Sequence, residues 1–492
     1  MTEKNEPLLE EVKYIPSAIK EDGYNLGLKA ENKIKGVYKY YVLYTIFTVD
    51  LLATSGDITM TWTSPMFSKL YSNDTTVNPL PKPITEAQDA WIASLINVGA
   101  MVGGFPFSFI SEHYGRKAAL LAVGVFHIIA YLSMAFAKCV ELFYFGRILG
   151  GLAVGGGYTL LPMYIAEVAE EKKRGAYSVT LGIFWGFGNF LPYLIGPFLS
   201  VRVFNLINFS LPLLFVILFF FLGIETPYYL IGANKLEKAE EVLMLLRAKD
   251  RKSVQLELQN IKNSLEQEKH ENVGSFTNIF TNPGVRKAFI ISISLISFQQ
   301  LSGWNAITFY LQPIFEASNT NLSPEICSLI IGACIFGFSL PTPYFTDKIN
   351  RKVLLIFSDV GLGLGLLILG AFFYIKNRTN WSMTAISWIP IPTLIMCTFA
   401  FQVGLAALPW TISSEIFPKN VKKLSSTTTS ASCWIVSFLI TQFFNTMKQN
   451  LGTDGTFFFY AVFTFIASCF TFFYVPETRG KTFVEIQQIL KS

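Results

Sequence analysis

Twelve stretches of this chain are apolar over a length that can cross a bilayer, and they fall into two groups of six. The first group lies near residues 38–62, 89–110, 117–136, 142–165, 177–198 and 203–223. The second lies near 286–314, 325–345, 353–375, 385–412, 426–447 and 456–475. Crossing hydrocarbon takes about 20 mostly apolar residues in a helix, because the backbone must satisfy its own hydrogen bonds there. The pattern therefore predicts an all-α membrane protein. Composition agrees: 15% of the 492 residues are charged and 51% are hydrophobic, against about 25% charged in soluble chains. Residues 1–36 are polar and carry no apolar core, so no signal peptide is expected.

Lysine and arginine orient the spans. Arg116-Lys117, Lys172-Lys173-Arg174, Lys348/Arg351-Lys352 and Lys419/Lys422-Lys423 all follow even-numbered spans. The positive-inside rule then puts both termini and the central loop in the cytosol. The sequons at Asn73, Asn321, Asn377 and Asn380 all fall after odd-numbered spans, on the predicted exterior, as glycosylation would require. Five regions follow: a cytosolic tail (1–36), a six-helix bundle (37–224), a cytosolic linker (225–284), a second six-helix bundle (285–475) and a C-terminal tail (476–492). In the linker, Val254, Leu258, Ile261 and Leu265 recur at helical spacing, predicting amphipathic helices beneath the bundle.

The chain also repeats itself. Gly115-Arg116-Lys117 after the second span is echoed by Asn350-Arg351-Lys352 after the eighth. Glu167 precedes Arg174 by seven residues, as Glu415 precedes Lys422. Glu225-Thr226-Pro227 closes the first half and Glu477-Thr478-Arg479 the second. Two matching six-helix units face one another in alternating-access transporters.

Inside the seventh span stands Gln299-Gln300-Leu301-Ser302-Gly303-Trp304-Asn305. Three amides this close are costly in hydrocarbon unless they meet partners or line a polar cavity. On an unbroken helix Gln299 and Asn305 would lie about 120° apart. Ser302-Gly303 offers a place to unwind, as discontinuous transporter helices do around a midplane site. Helix–helix adhesion is the plainer role for such amides, but the number and spacing here point to a ligand.

Catalytic chemistry finds no support. Cys139, Cys327, Cys334, Cys397, Cys433 and Cys469 lack metal-like spacing, and His113, His127 and His270 are scattered. No phosphate loop, zinc motif or nucleophile elbow is present. No enzyme, metal or cofactor is expected. The net charge of +5 sits in loops on one side and implies no nucleic acid.

Taken together, these motifs resemble the sugar porters of the major facilitator superfamily, animal facilitative glucose transporters and insect trehalose transporters above all. The resemblance covers residues 38–487. It rests on Gly146-Arg147, Pro162-Met163-Tyr164-Ile165-x-Glu167, Arg174-Gly175, Gln299-Gln300-Leu301-Ser302-Gly303-x-Asn305, Pro409-Trp410 and Pro476-Glu477-Thr478-Arg479-Gly480, with Trp62-Thr63-Ser64-Pro65 similar to the insect group. It implies the major facilitator fold and carriage of a small sugar by a single chain in the lipid bilayer. It also implies that Gln299, Gln300 and Asn305 bind sugar hydroxyls, that Trp410 stacks on the ring, and that Phe401 and Gln402 line the pocket. Glu167, Arg174, Arg116, Glu415, Lys422 and Arg351 would form inter-helix ion pairs that hold the cytosolic ends together when the pocket faces outward.

Several positions depart from the family pattern. Leu181-Gly182 stand where the fifth span usually carries a glutamine, Cys334-Ile335 where the eighth carries an asparagine, and Cys433 precedes Trp434 in the eleventh. Gln402 replaces a glutamate and Glu112-His113 an Asp/Asn-Arg pair. Gly404-Leu405-Ala406-Ala407-Leu408-Pro409 replaces a segment richer in glycine and proline, so fewer helix breaks are expected. Thr59 stands where the family's proton symporters have an aspartate, which favours facilitated diffusion. Yet Asp50 and Asp57, seven residues apart, share one face of the first span, and intramembrane carboxylates are often functional. Asp57 with Arg147 as its counter-charge would make a proton-coupled symporter; a sensor that binds sugar without moving it is the remaining alternative. The plasma membrane is the expected location. Glu6-Pro7-Leu8-Leu9 weakly resembles an acidic dileucine signal for endolysosomal sorting.

Overall fold

The computed structural model describes residues 40–270, 283–417, 419–481 and 483–491; the dileucine motif lies outside them. The described residues form helices joined by turns and short irregular segments, with no strand among them. The first span runs over residues 40–61 and continues, after a turn at Trp62, as Thr63–Leu70. The second to sixth follow as Glu86–Tyr114, Arg116–Ala135, Val140–Val168, Arg174–Ile195 and Val201–Leu222. The second starts on a reciprocal cap between Thr85 and Gln88, which satisfies two otherwise orphaned amides.

In the second half the seventh span is built from Pro283–Leu301, Trp304–Phe309 and Leu311–Ser318. The eighth is Pro324–Ser339 with Thr342–Lys348, bent by 43°, and the ninth is Arg351–Arg378. The tenth comprises Pro390–Ala400, a π-helical turn at Phe401–Leu405 and Leu408–Ile416. One long helix, Lys419–Tyr474, supplies the eleventh and twelfth, broken at Gly452. This is an all-α major facilitator fold of two six-helix halves.

Linker helices Pro227–Gly232, Leu236–Arg247 and Arg251–His270 pack around Leu230, Leu243, Val254 and Ile261, with Leu258 and Leu265 partly buried. The helical spacing of those apolar residues is thus borne out. Arg247 docks the linker to the bundle: it donates to the carbonyls of Val168 (2.8 Å) and Ala169 (3.3 Å) at the end of the fourth span. A guanidinium suits that position, where the last carbonyls of a helix lack partners.

The hydrogen bonds that join the two halves gather at the end away from Arg116 and Arg351. Thr63 donates to the Phe309 carbonyl (3.0 Å), Tyr193 to the Thr308 carbonyl (2.7 Å), and the Gln312 amide to Ser64 (3.0 Å). Ser94 donates to Gln442 (2.5 Å). The largest hydrophobic core is continuous across this closed end, joining Phe67, Ile96 and Tyr193 to Tyr310, Ile331 and Phe444. A second core, around Leu120, Tyr164, Phe215 and Phe219, belongs to the first half and takes in Leu246 of the linker.

Candidate functional site

The seventh span breaks where the amides stand. Its first helix ends at Leu301, Gly303 takes φ +75°, and a new helix starts at Trp304. A side chain at Gly303 would collide with the Tyr460 ring, so glycine serves both the left-handed backbone and the close approach. The tenth span breaks at the same level, contrary to the fewer helix breaks expected. Its π-helical turn and restart at Leu408 leave carbonyls without intrahelical partners, and Ser358 patches part of the gap by donating to Ala400 and accepting from the Leu405 amide (2.9 Å). Gln299 Nε2 takes two freed carbonyls, Leu405 (2.6 Å) and Ala406 (3.3 Å).

From there the polar groups run on as a chain. Gln300 Nε2 donates to Gln299 Oε1 (3.3 Å) and Cys433 Sγ (3.3 Å). Asn305 Nδ2 donates to Gln300 Oε1 (2.7 Å) and to Ser437 Oγ (2.9 Å). Ser437 donates to Asn97 Oδ1 (3.0 Å), and Asn97 Nδ2 donates to Thr441 (3.0 Å). The three predicted amides therefore meet, and Asn97 ties them to the second span of the other half. Cys433, in a departing position, is still engaged.

Aromatic rings lie nearby. Trp304 stacks on Phe401 with centroids 4.4 Å apart at 13°. Trp410 opens the restarted helix and is 39% exposed. Gln402 contributes its carbonyl, which accepts from Thr342 (3.0 Å). A second group was missed in the sequence: Tyr158 stacks on Trp185 (4.9 Å, 10°) and meets Trp434 edge-on across the halves (6.1 Å, 78°). A bulky aromatic in the glycine run Gly155-Gly156-Gly157-Tyr158 was the available signal.

Asp57 and Arg147 are not brought together, and the expected pairing is corrected. Asp57 accepts from Tyr158 Oη (2.7 Å) and Asn189 Nδ2 (2.6 Å). Arg147 is fully buried and donates to the carbonyls of Ile92 (2.8 Å), Thr59 and Ala93 (3.5 Å). The reason is helical rise: Tyr158, which reaches Asp57, lies 11 residues beyond Arg147 on the fourth span, or about 16 Å. Asp50 accepts from Thr180 (2.8 Å) on the fifth span.

At the basic end, the ion pairs form inside each half. Arg116 grips Glu167 with two bonds of 3.0 Å, and Arg351 pairs with Glu415. Arg174 turns instead to Tyr228 Oη (2.8 Å). The Lys422 side chain lies outside the described residues. Glu225 accepts from the amides of Arg116 (2.9 Å) and Lys117 (3.1 Å); Glu477 does the same for Arg351 (3.2 Å) and Lys352 (3.1 Å). Asn73, Asn321, Asn377 and Asn380 are exposed, and Asn321 accepts from Ser387 (3.0 Å).

Residues 45–490 match the family model described as sugar (and other) transporter. The chain belongs to this family. It is similar to the facilitated trehalose transporter Tret1 of Polypedilum vanderplanki, 29% identical over 453 residues, which are 92% of this chain and 88% of that one. The Apis mellifera ligustica Tret1 is 28% identical over 462 residues, 93% of this chain and 90% of the relative. Against the Aedes aegypti Tret1, at 29% identity, the chain spans only half of the relative's length. Among solved structures, the inward open xylose transporter XylE from E. coli superposes with TM-score 0.75 at 22% identity, covering 91% of this chain and 99% of that one. XylE described as a proton:xylose symporter bound to 6-bromo-6-deoxy-D-glucose gives 0.70 at 23%, covering 91% and 99%.

Proposed function

We propose that this member of the sugar transporter family carries a small neutral sugar, a hexose or trehalose, across a membrane by alternating access and facilitated diffusion. The observation that carries this reading is the amide row Gln299–Gln300–Asn305 at the coincident breaks of the seventh and tenth spans. Amides donate and accept, as sugar hydroxyls do, so a sugar can replace amide–amide and amide–carbonyl bonds without leaving a buried polar group unpaired. Aromatic rings on Trp304, Phe401 and Trp410 offer flat faces to the CH surface of the ring. Relatives named as trehalose transporters support the substrate class.

The halves, residues 37–224 and 285–475, act as the two rocking bodies, with 225–284 as a helical linker on the cytosolic side. In this assignment Arg116, Arg351 and both termini are cytosolic, the four sequons are outside, and the structure faces inward. Arg116–Glu167 and Arg351–Glu415 belong to the gating set, with Glu225 and Glu477 anchoring their loops. The working unit is one chain in the plasma membrane, moving its substrate unchanged rather than catalysing a reaction. The test is counterflow in proteoliposomes with labelled glucose, fructose, trehalose and polyols. Wild type should equilibrate at least one of them, and Gln299→Ala should abolish that flux; undiminished flux in the variant overturns the site.

A further inference from the structure

The closed end of the bundle is organised around one buried carboxylate. Asp89 stands in the first turn of the second span and is 2% exposed. It accepts from three donors on three other segments: Tyr71 Oη at 2.7 Å, Tyr310 Oη at 2.5 Å and Asn445 Nδ2 at 3.1 Å. Tyr310 and Asn445 belong to the opposite half. One turn earlier Glu86 accepts from Gln449 Nε2 across the same seam, and its carbonyl accepts from Asn445 Nδ2 (3.3 Å). The surroundings are otherwise apolar: Phe67 stacks on Tyr310 (5.2 Å), which also meets Phe444 (4.7 Å). Lys448 stands on the same helix as Asn445, its ammonium over Phe444 (5.4 Å), and Asp89 has no ion-pair partner among the described residues.

A carboxylate can only accept, and bonds from neutral donors to an anion are among the stronger ones in proteins. Shut among aromatic rings, it is costly unless all its donors are in place. Parting the halves at this end removes Tyr310 and Asn445 together and hands Asp89 to water. The cluster thus exists in only one of the two end states, and its strength enters the balance between them. Tyr310 also follows the short helix Trp304–Phe309, so this latch and the amide Asn305 sit at the two ends of one small element.

We propose that Asp89 is the anchor of a latch that holds the end opposite the basic loops shut, and that its three donors set how often that end opens. The proposal rests on the alternating-access reading. The test is a reporter cysteine, Ser94→Cys, in a Cys139→Ser background, labelled by a membrane-impermeant maleimide from the side bearing the sequons. Ser94 is buried at the seam and donates to Gln442. Asp89→Asn and Tyr310→Phe should each speed labelling about tenfold, the scale of one charge-assisted hydrogen bond, and the double variant should add little more. In proteoliposomes the same variants should change the ratio of influx to efflux KM. Loss of folded protein alone would leave both the rate per folded molecule and that ratio unchanged. Tyr310→Phe and Asn445→Ala keep the carboxylate and decide the matter if Asp89→Asn does not accumulate. Labelling rates within about twofold of wild type, or additive effects, overturn the latch. Since labelling needs no sugar, its failure is separate from failure of the transport reading.

Discussion

At the scale of single residues, Tyr158 does two jobs that can be separated. Its ring packs on Trp185 and reaches Trp434, while its hydroxyl serves Asp57. Tyr158→Phe keeps the ring and removes the hydroxyl; Tyr158→Ala removes both. If the ring forms the pocket's wall, Tyr158→Ala raises the KM for the transported sugar about tenfold, on the scale of a lost aromatic pair. Tyr158→Phe should move it by less than about threefold, since Asn189 still holds Asp57. Zero-trans uptake curves measure both, and equal KM values in the two variants would remove the ring from the site. The contrast with the amides is instructive. Gln299, Gln300 and Asn305 were legible because polar atoms in an apolar span demand an explanation. Tyr158 and Trp185 were not, because aromatics in a membrane helix are unremarkable until a fold stacks them. Asn97 and Asn189 carried the same polar signal as the glutamines but stand singly, and one amide does not outweigh ordinary adhesion between helices.

Among the elements, the closest packing joins the second and fourth spans. Gly99 and Gly103 face Gly151 and Gly155, and a Cβ on any of the four would fall inside contact distance of a carbonyl on the opposing helix. Small residues four apart let backbones approach, which is how helices adhere where no water drives them together. Gly151→Val should destabilise the folded protein by about 3 kcal/mol or more, because backbone cannot step aside as a side chain can. A lower Tm in detergent and a loss of monodisperse protein would show it; unchanged Tm would mean the helices can part freely. Spacing of four in both spans made this seam readable in principle. The break in the tenth span was harder, since Ala406-Ala407 carries no breaker of its own. The interruption arises from the π-helical turn before it and Pro409 after it. The linker offers a second check. Arg247 ties the helix Leu236–Arg247 to the end of the fourth span through two carbonyls, so Arg247→Ala should raise deuterium uptake across 236–270 while sugar exchange persists. Protection equal to wild type would shift the docking to the apolar contacts of Leu246.

For the whole molecule, the repeated loops were fully legible: Glu225 and Glu477 hold equivalent amides, as the matching sequences implied. What sequence could not supply was which charges meet, because a span's rotation and depth are set by packing. That distinction decides the energetics of transport. A proton-coupled cycle built on Asp57 and Arg147 needs protonation of one to free the other. Here Asp57 is held by two neutral donors on the fourth and fifth spans, and Arg147 by three carbonyls. Neutralising Asp57 would weaken its bonds to Tyr158 and Asn189, both within the first half, and leave Arg147 where it is. Among the described residues Asp57 bonds to nothing in the second half, and its one link there is indirect, through the Tyr158 ring against Trp434, so a proton there has no direct hold on the rocking motion. Sugar should therefore equilibrate at the same rate and to the same level with or without an imposed proton gradient, and Asp57→Asn should retain most exchange. The measurement is uptake into proteoliposomes at matched and unequal pH. Accumulation above the external concentration, lost with a protonophore or in Asp57→Asn, would mean that Asp57 drives the cycle through a conformation in which its partners lie across the halves.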